Sequence, residues 1–327
     1  MGYEKLLKVS MIVPVFNGGE TFQRCLKSLL IQDYPCERLS IIIVDDCSND
    51  GTLEWLTTQQ LPTHFIIIRH EENKGRAAAR NSGLSDADGE IIIFLDGDME
   101  VQQDFISAHV DAINHPSIVA VTGKMLGDPG YPNTRLRKYL FQYKYRGARQ
   151  FGENTPIPYQ YLLTGNMSVK REVLQDYENF DESFSGYGGE DTLFAYTIWK
   201  KYPKGLRYSE KPISTDLQEY NLDAVLAKMY QYGKNNLPIL IQKHPEMIPA
   251  LRADFLIGNS FKKIISDIFL NPLFHTIGRW KYHIIPWPLS NFFIPIEKII
   301  LSDFCNIDHY CIYHLFQFES RSYAKPG

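Results

Sequence analysis

Short, mostly apolar runs recur along the first half of the chain: Val9 to Val15, Leu39 to Val44, Phe65 to Ile68 and Ile91 to Leu95. Runs of that length with no polar face read as strands buried on both sides of a sheet. Between them the period changes to that of helices. Glu20 to Gln32 places Phe22, Cys25, Leu26, Leu29 and Leu30 on one stripe. Cys47 to Thr52 is a polar turn and cap leading into Leu53 to Gln59, and Lys74 to Ala87 is an alanine-rich helix. A further helix is predicted over about Val101 to Asn114. Strand and helix thus alternate four times, the pattern of a mixed, mainly parallel α/β sheet with helices on both faces.

Beyond a further strand expected at Ile118 to Thr122, the character shifts. Tyr131 to Phe151 interleaves Arg135, Arg137, Lys138, Lys144, Arg146 and Arg149 with Tyr139, Phe141, Tyr143 and Tyr145. A lipid-headgroup or polyanion surface is one reading; the simpler expectation is one amphipathic helix with a solvated basic face. Tyr159 to Val169 reads as β-like, Phe180 to Gly189 as a glycine- and aromatic-rich lid, and Thr192 to Lys201 as a helix opened by Glu190 and Asp191. From about Leu222 the chain is expected to be helical. Its apolar tail, including Trp280, Ile284, Trp287, Phe292 and Ile299, is interrupted by Pro286, Pro288 and Pro295. That tail is a candidate membrane-interface segment, subunit contact or cap. The expected division is 1–220, split near 125, and 221–327.

Composition narrows the field only modestly. The 327 residues are 44% hydrophobic and 22% charged, with a net charge of −4, so a general nucleic-acid binder is not expected. Cys25, Cys36, Cys47, Cys305 and Cys311 show no metal-type pairing and fit a reducing compartment. No signal-peptide layout opens the chain and no apolar run has membrane-spanning length, so a cytoplasmic protein is expected.

The candidate chemistry lies at strand ends. Ile91 to Leu95 stops on Asp96-Gly97-Asp98, and Leu39 to Val44 stops on Asp45-Asp46. Acids at the carboxyl ends of parallel strands sit where open α/β sheets bind ligands. Two carboxylates this close suit Mg²⁺ or Mn²⁺ shared with substrate phosphates, although Asp-Gly is also an ordinary turn dipeptide. No Gly-x-Gly-x-x-Gly or Gly-x-x-x-x-Gly-Lys loop follows a strand, which argues against dinucleotide and P-loop folds. His70, His109 and His283 are expected to be solvated or packing residues rather than ligands.

Taken together, five motifs in order resemble the inverting nucleotide-sugar glycosyltransferases of family 2, with the GT-A fold. They are Pro14-Val15-Phe16-Asn17, Val44 to Thr52, Asn73 to Asn81, Asp96-Gly97-Asp98 and Gly188-Gly189-Glu190-Asp191. The resemblance covers about residues 8 to 216. It implies that Pro14, Val15, Phe16 and Asn17 line a base pocket and that Asp46 accepts from the base. It places Lys74 or Arg76 near the diphosphate, Asp96 by the ribose or a metal-bound water, and Asp98 on the metal, with Gly97 between them. Gly165 and Asn166 resemble the segment along the sugar and acceptor pockets. Asp191 would be the general base, with Glu190 holding the acceptor or orienting the loop. A histidine common late in the family is absent from Ile213 to Asp216; either Asp216 substitutes as a metal ligand, or the site uses only Asp98 and the diphosphate.

The expected activity is metal-dependent, inverting transfer from a nucleoside-diphosphate sugar, with UDP-sugar as the donor, to a glycan or lipid-linked hydroxyl. A divalent cation is the expected cofactor; a membrane surface and a second copy of the chain are candidate partners. A sugar nucleotidyltransferase and a non-catalytic sugar-nucleotide binder remain as alternatives. Asn17-Gly18-Gly19-Glu20 lacks the basic residue that the former would use, and the latter should have lost Asp98 or Asp191.

Overall fold

The computed structural model describes residues 6–174 and 179–251. The chain divides into two compact units, Met1–Val225 and Leu226–Gly327. The first is built on an eight-stranded sheet. In chain order its elements are β1 (Val9–Val15), α1 (Gly19–Leu29), β2 (Leu39–Asp45), α2 (Thr52–Thr58), β3 (Phe65–Arg69), α3 (Gly75–Asp86), β4 (Ile91–Leu95) and β5 (Met99–Val101). They continue with α4 (Phe105–Ile113), β6 (Ala120–Gly127), α5 (Arg135–Gln142), β7 (Asn166–Lys170), α6 (Arg171–Leu174), α7 (Glu190–Lys201) and β8 (Leu206–Asp216). The strand order is β3-β2-β1-β4-β7-β6-β8-β5. β3, β2, β1 and β4 run parallel, as do β6 and β8; β7 is antiparallel to β4 and β6, and β5 to β8. This is the mixed, mainly parallel sheet expected from the strand–helix alternation.

The order explains where a ligand can enter. The chain passes from β1 outward to β2 and β3, then returns to place β4 on the other side of β1. Their carboxyl ends therefore diverge at this switch point and leave a crevice. Ile41, Ile42, Ile43, Ile93, Phe94 and Leu95 are fully buried, which is why these runs lack polar positions. Each such side chain contributes ~1.5–3 kcal/mol by leaving water.

Several boundaries differ from the sequence expectation. The helix expected from Val101 starts at Phe105, because Met99–Val101 pairs with β8 as strand β5. Tyr159 to Val169 is a 3₁₀ turn at Tyr159–Tyr161, followed only later by β7. Tyr131 to Phe151 is not one helix: α5 ends at Gln142 and a 3₁₀ turn occupies Gly147–Phe151. Nor is its basic face wholly solvated. Arg137 is buried, donating to the Asp128 and Gln218 carbonyls and lying over Tyr131 and Phe141. Arg146 and Arg149 donate to the carbonyls of Leu140 and Phe141 left open at the end of α5, as basic side chains do at helix C-termini.

In the second unit, α9 (Leu237–Lys243) and α10 (Ile248–Leu251) follow α8 (Leu222–Gln231) and a π turn at Tyr232–Asn236. The proline-broken tail containing Trp280 and Trp287 lies outside the described residues, as does His283. Among the described residues, no helix is long and apolar enough to cross a membrane.

Helix α3 lies directly against β1. A Cβ added at Gly83 would stand 2.4 Å from Cγ2 of Ile12, far inside van der Waals contact. Gly83→Ala is therefore expected to destabilise the protein by ~1–3 kcal/mol through overpacking, although alanine is the better helix former. Urea denaturation checks this; unchanged or increased stability would contradict the packing.

Candidate active site

β4 ends at the crevice and delivers Asp96-Gly97-Asp98 there. Glycine is required between the two acids, since a Cβ on Gly97 would stand 2.8 Å from the carbonyl oxygen of Pro14. That contact brings the end of β1 and the acid loop together. Pro14 and Val15 finish β1, Phe16 stands 48% exposed beyond it, and Asn17 turns the chain at φ 50. The Asn17 side chain accepts from the Asn49 N–H, and the Asn17 N–H donates to Ser48 Oγ. The β1 and β2 turns are thereby stapled to each other.

Asp46 sits just past β2 with both carboxylate oxygens engaged. Oδ1 meets His70 Nδ1 at 2.7 Å and the Lys74 N–H at 2.9 Å, while Oδ2 accepts from the Gly75 N–H at 2.8 Å. The acid is 3% exposed and caps the start of α3. Such a site gives a carboxylate the helix N-terminal partners it favours. His70 is not solvated, contrary to expectation. Asp46 holds one of its ring nitrogens and Ser82 Oγ lies 2.8 Å from the other, so the ring is buried between β3 and α3.

Arg80, within the Asn73 to Asn81 motif but with no role expected from it, is the centre of the constellation. It is 1% exposed. One terminal nitrogen lies 2.8 Å from Asp96 Oδ1 and the other 3.0 Å from Glu190 Oε1. Its planar guanidinium thus joins the end of β4 to the start of α7, with the Phe180 ring 5.5 Å away. Asn81, its neighbour, anchors the glycine-rich loop. Its amide donates to the Phe180 carbonyl and Glu182 Oε1, and its oxygen accepts from the Phe180 N–H. A charged residue directly after the run Ala77-Ala78-Ala79 is the available signal, because consecutive alanines imply close packing around it.

Glu190 and Asp191 open α7 after Gly188 and Gly189, both at positive φ. Glu190 is buried against Arg80, with Arg76 Nε 3.9 Å away. Asp191 is partly exposed, and its Oδ1 accepts from its neighbour Thr192. Desolvation and the adjacent Glu190 carboxylate push its acid up to about 6, against the pull of Arg80 and Arg76. Lys74 and Arg76 are exposed; Arg76 lies over the Tyr187 ring of the loop, 5.9 Å from its centre.

Asp98 faces the opposite strap of chain. Its Oδ2 accepts from the Gln218 amide, while Oδ1 is shut from solvent with no partner among the described residues. β5 pairs Met99 with Asp216, and the Leu217 N–H donates to the Asp98 carbonyl at 3.0 Å. Asp216 is therefore close, but Gln218 N–H and Tyr220 Oη already donate to its carboxylate at 2.9 and 2.6 Å. Burial first, then repulsion from Asp96 and Asp216, raises the Asp98 acid to about 7. An orphaned buried oxygen among hard anionic donors fits Mg²⁺ or Mn²⁺. Among the described residues, no group of three or more His, Cys, Asp or Glu is gathered to hold a metal unaided. A cation here would need ligands from a bound phosphate.

The last pair of expected residues separates. Gly165 lies at the crevice: its carbonyl accepts from the Asp96 N–H at 3.4 Å, and an added Cβ would stand 3.0 Å from Asp96 Oδ2. Asn166 is fully buried instead. It accepts from or donates to His109, Lys124, Pro212 and Ser214. Its amide fills the irregularity between Thr122 and Lys124 where β6 lacks a side chain at Gly123. His109 is a packing residue, its acid pushed down to about 3 by burial.

Residues 10–177, just over half of the chain, match the family model for glycosyl transferase family 2. Glycosyltransferase AglE of Haloferax volcanii is 35% identical over 128 residues, 38% of this chain and 41% of that protein. YfnE of Bacillus subtilis, an uncharacterized glycosyltransferase, is 27% identical over 232 residues, 57% of this chain and 58% of that protein. The poly(ribitol-phosphate) β-N-acetylglucosaminyltransferase TarS of Staphylococcus aureus is 24% identical over 291 residues, 77% of this chain and 49% of that protein. The chain spans about half the length of these curated relatives. Among solved structures, S. aureus TarS 1–349 with UDP aligns with TM-score 0.53 and 18% identity, covering 98% of this chain and 93% of that one. The mannosyltransferase PcManGT of Pyrobaculum calidifontis, with GDP-Man and Mn²⁺, aligns with TM-score 0.56 and 18% identity, covering 98% and 87%. These likenesses establish the GT-A fold.

An acid raised from its ordinary value favours folding only while it is protonated. The contribution of Asp98 is present at low pH and is lost as pH rises through about 7. Without divalent cations, Asp98→Asn is thus expected to raise the melting temperature at pH 8, by ~2–4 °C per kcal/mol of relieved repulsion. At pH 4 it should change little. Calorimetry at the two pH values checks this, and a lower melting temperature at pH 8 would contradict the crowding of Asp96, Asp98 and Asp216.

Proposed function

The chain belongs to glycosyl transferase family 2 and has the GT-A fold, and from that premise we propose a metal-dependent inverting transfer of one sugar from a UDP-sugar to an acceptor hydroxyl. The observation that carries this reading is the bridge of Arg80 between Asp96 and Glu190, which puts a donor-side acid and the base helix on one buried group. The relatives and neighbours support a nucleotide-sugar donor, since TarS structures hold UDP or UDP-GlcNAc and PcManGT holds GDP-Man. UDP is our choice of base because two of these complexes carry uridine nucleotides.

In this reading the donor's base lies against Pro14, Val15 and Phe16, beside the turn that Asn17 fixes. Asp46 acts one layer behind, holding the Lys74 and Gly75 N–H groups and hence the start of α3. The exposed cations of Lys74 and Arg76 face the diphosphate. Asp98, with Asp96 near it and Asp216 behind, would hold a divalent cation, which supplies charge neutralisation to the departing diphosphate. Gly165 leaves room beside Asp96 for the sugar.

Asp191 takes the proton from the acceptor oxygen as that oxygen attacks the anomeric carbon from the face opposite the nucleotide. The bond to the diphosphate breaks in the same displacement, so configuration inverts and no covalent enzyme intermediate forms. Burial and Glu190 raise the basicity of Asp191, while Arg80 keeps Glu190 paired and out of competition for the proton. The loop over the site, carrying Tyr187, excludes water as an accidental acceptor. We place the acceptor in a glycan or lipid-linked chain of a cell-envelope polymer, made on the cytoplasmic side, in keeping with the polymer named for TarS. The domain halves on either side of residue 125 then serve donor and acceptor respectively.

Release of nucleoside diphosphate from a panel of nucleotide sugars with Mn²⁺ tests the reading, and the anomeric proton of the product tests inversion. Asp191→Asn should lower kcat by ~10²–10⁴-fold with donor affinity nearly intact; equal loss of both would count against the base. Since the base must be unprotonated, wild-type kcat should be level above about pH 6 and fall below it. A profile flat to pH 5 would remove Asp191 from that role.

A further inference from the structure

The short segment after β8, residues 217–220, turns back over the acid loop and meets Asp98 at two points. The Leu217 N–H donates to the Asp98 carbonyl, and the Gln218 amide donates to Asp98 Oδ2. Gln218 is itself held, because its own N–H donates to Asp216 Oδ1, while Tyr220 Oη closes the other oxygen of Asp216. Tyr220 packs edge-on to Phe141 from α5, with ring centres 5.7 Å apart. Asp98 is thus gripped on one carboxylate oxygen and left bare on the other.

A carboxylate has two chemically equal oxygens and rotates about its last bond unless something breaks the symmetry. An amide N–H on Oδ2 breaks it: one of that oxygen's two lone pairs faces a donor, and the donor hydrogen repels a cation from that side. Oδ1 becomes the oxygen with both lone pairs unengaged. We infer that Gln218 is the positioning residue of the cation site, fixing Asp98 so that Oδ1 alone meets a divalent ion. This rests on the metal reading of Asp98 given above. No sequence motif points to Gln218, which lies two residues past Asp216, itself a candidate ligand by its sequence position. Hydrogen-bonded partners behind a ligand of this kind are worth ~10–100-fold in metal affinity. The same chain of contacts gives Asp216 a role as the anchor of Gln218 rather than as a ligand.

The test is titration of the folded protein with MnCl₂, followed by calorimetry and by the electron paramagnetic resonance of free Mn²⁺, with and without UDP. Gln218→Met keeps the length of the side chain and loses the donor, and Gln218→Asn keeps an amide N–H without adding a histidine ligand. Thermal melting verifies that each is folded, and Gln218→Leu replaces the methionine variant if that one melts early. Gln218→Met should weaken Mn²⁺ binding by ~10–100-fold, and Gln218→Asn should lose less than Gln218→Met. If wild type and Gln218→Met bind Mn²⁺ equally, or the variant binds more tightly, the positioning role is overturned while the metal reading stands. If Gln218→Asn binds no better than Gln218→Met, the donor is not what matters and the inference again fails. If wild type binds no Mn²⁺ even with UDP, the metal reading itself falls and takes this inference with it.

Discussion

One buried guanidinium holds the constellation together. Arg80 stands between a carboxylate at the end of β4 and another at the start of α7, sealed from water on all sides. Those two acids come from segments 94 residues apart; Asp96 keeps 32% of its side chain open to water, so the buried partner of the cation is Glu190. Removing one partner from a buried ion pair costs ~3–5 kcal/mol, because the remaining charge has neither solvent nor counter-charge. Arg80 is therefore committed to its geometry, and the geometry fixes where the base helix begins. Its helix, α3, extends the same function along its length. The first turn binds Asp46, Asn81 binds the lid at Phe180, and Ser82 steadies His70.

A second layer of electrostatics follows from that arrangement. Arg80 satisfies Asp96 and Glu190 but leaves Asp98 and Asp191 with an excess of negative neighbours. Burial then lifts both acids well above the ordinary carboxylate range. Raised acids are costly in a folded protein, and their presence in a crevice at a sheet switch point is what a functional site requires. The two have different neighbours and hence different uses. Asp191 is raised to about 6 beside Glu190, whereas Asp98 is raised to about 7 between Asp96 and Asp216 and keeps a buried oxygen with no partner among the described residues.

Much of the fold was legible because the central strands are covered on both faces. Ile41 to Val44 and Ile91 to Leu95 have no solvent-facing position, so their sequence carries no polar alternation that might mislead. The acids at their ends were legible for a related reason: a buried run that stops on a carboxylate marks the place where the sheet meets water. What stayed hidden depends on partners far away in the chain. Arg137 reads as a solvated helix residue until Asp128, Gln218 and two aromatic rings close around it. His70 beside two glutamates reads as exposed until Ser82 approaches its far nitrogen. Val101 looks like the start of a helix, and only β8 recruits it as a strand. Asn166, read as a wall of the sugar pocket, is drawn inside by a missing side chain at Gly123 on a neighbouring strand. No local pattern contains that information.

The central claim is that α3, through Arg80, gathers donor, cation and base into one crevice. It is tested most directly by a crystal structure of the protein with UDP-sugar and Mn²⁺, using the anomalous signal of manganese. The account predicts a single manganese peak bonded to Asp98 Oδ1 and to diphosphate oxygens, with Arg80 still bridging Asp96 and Glu190 and the anomeric carbon lying open toward Asp191. A manganese peak away from Asp98, or a donor seated outside the crevice between β1 and β4, would contradict it.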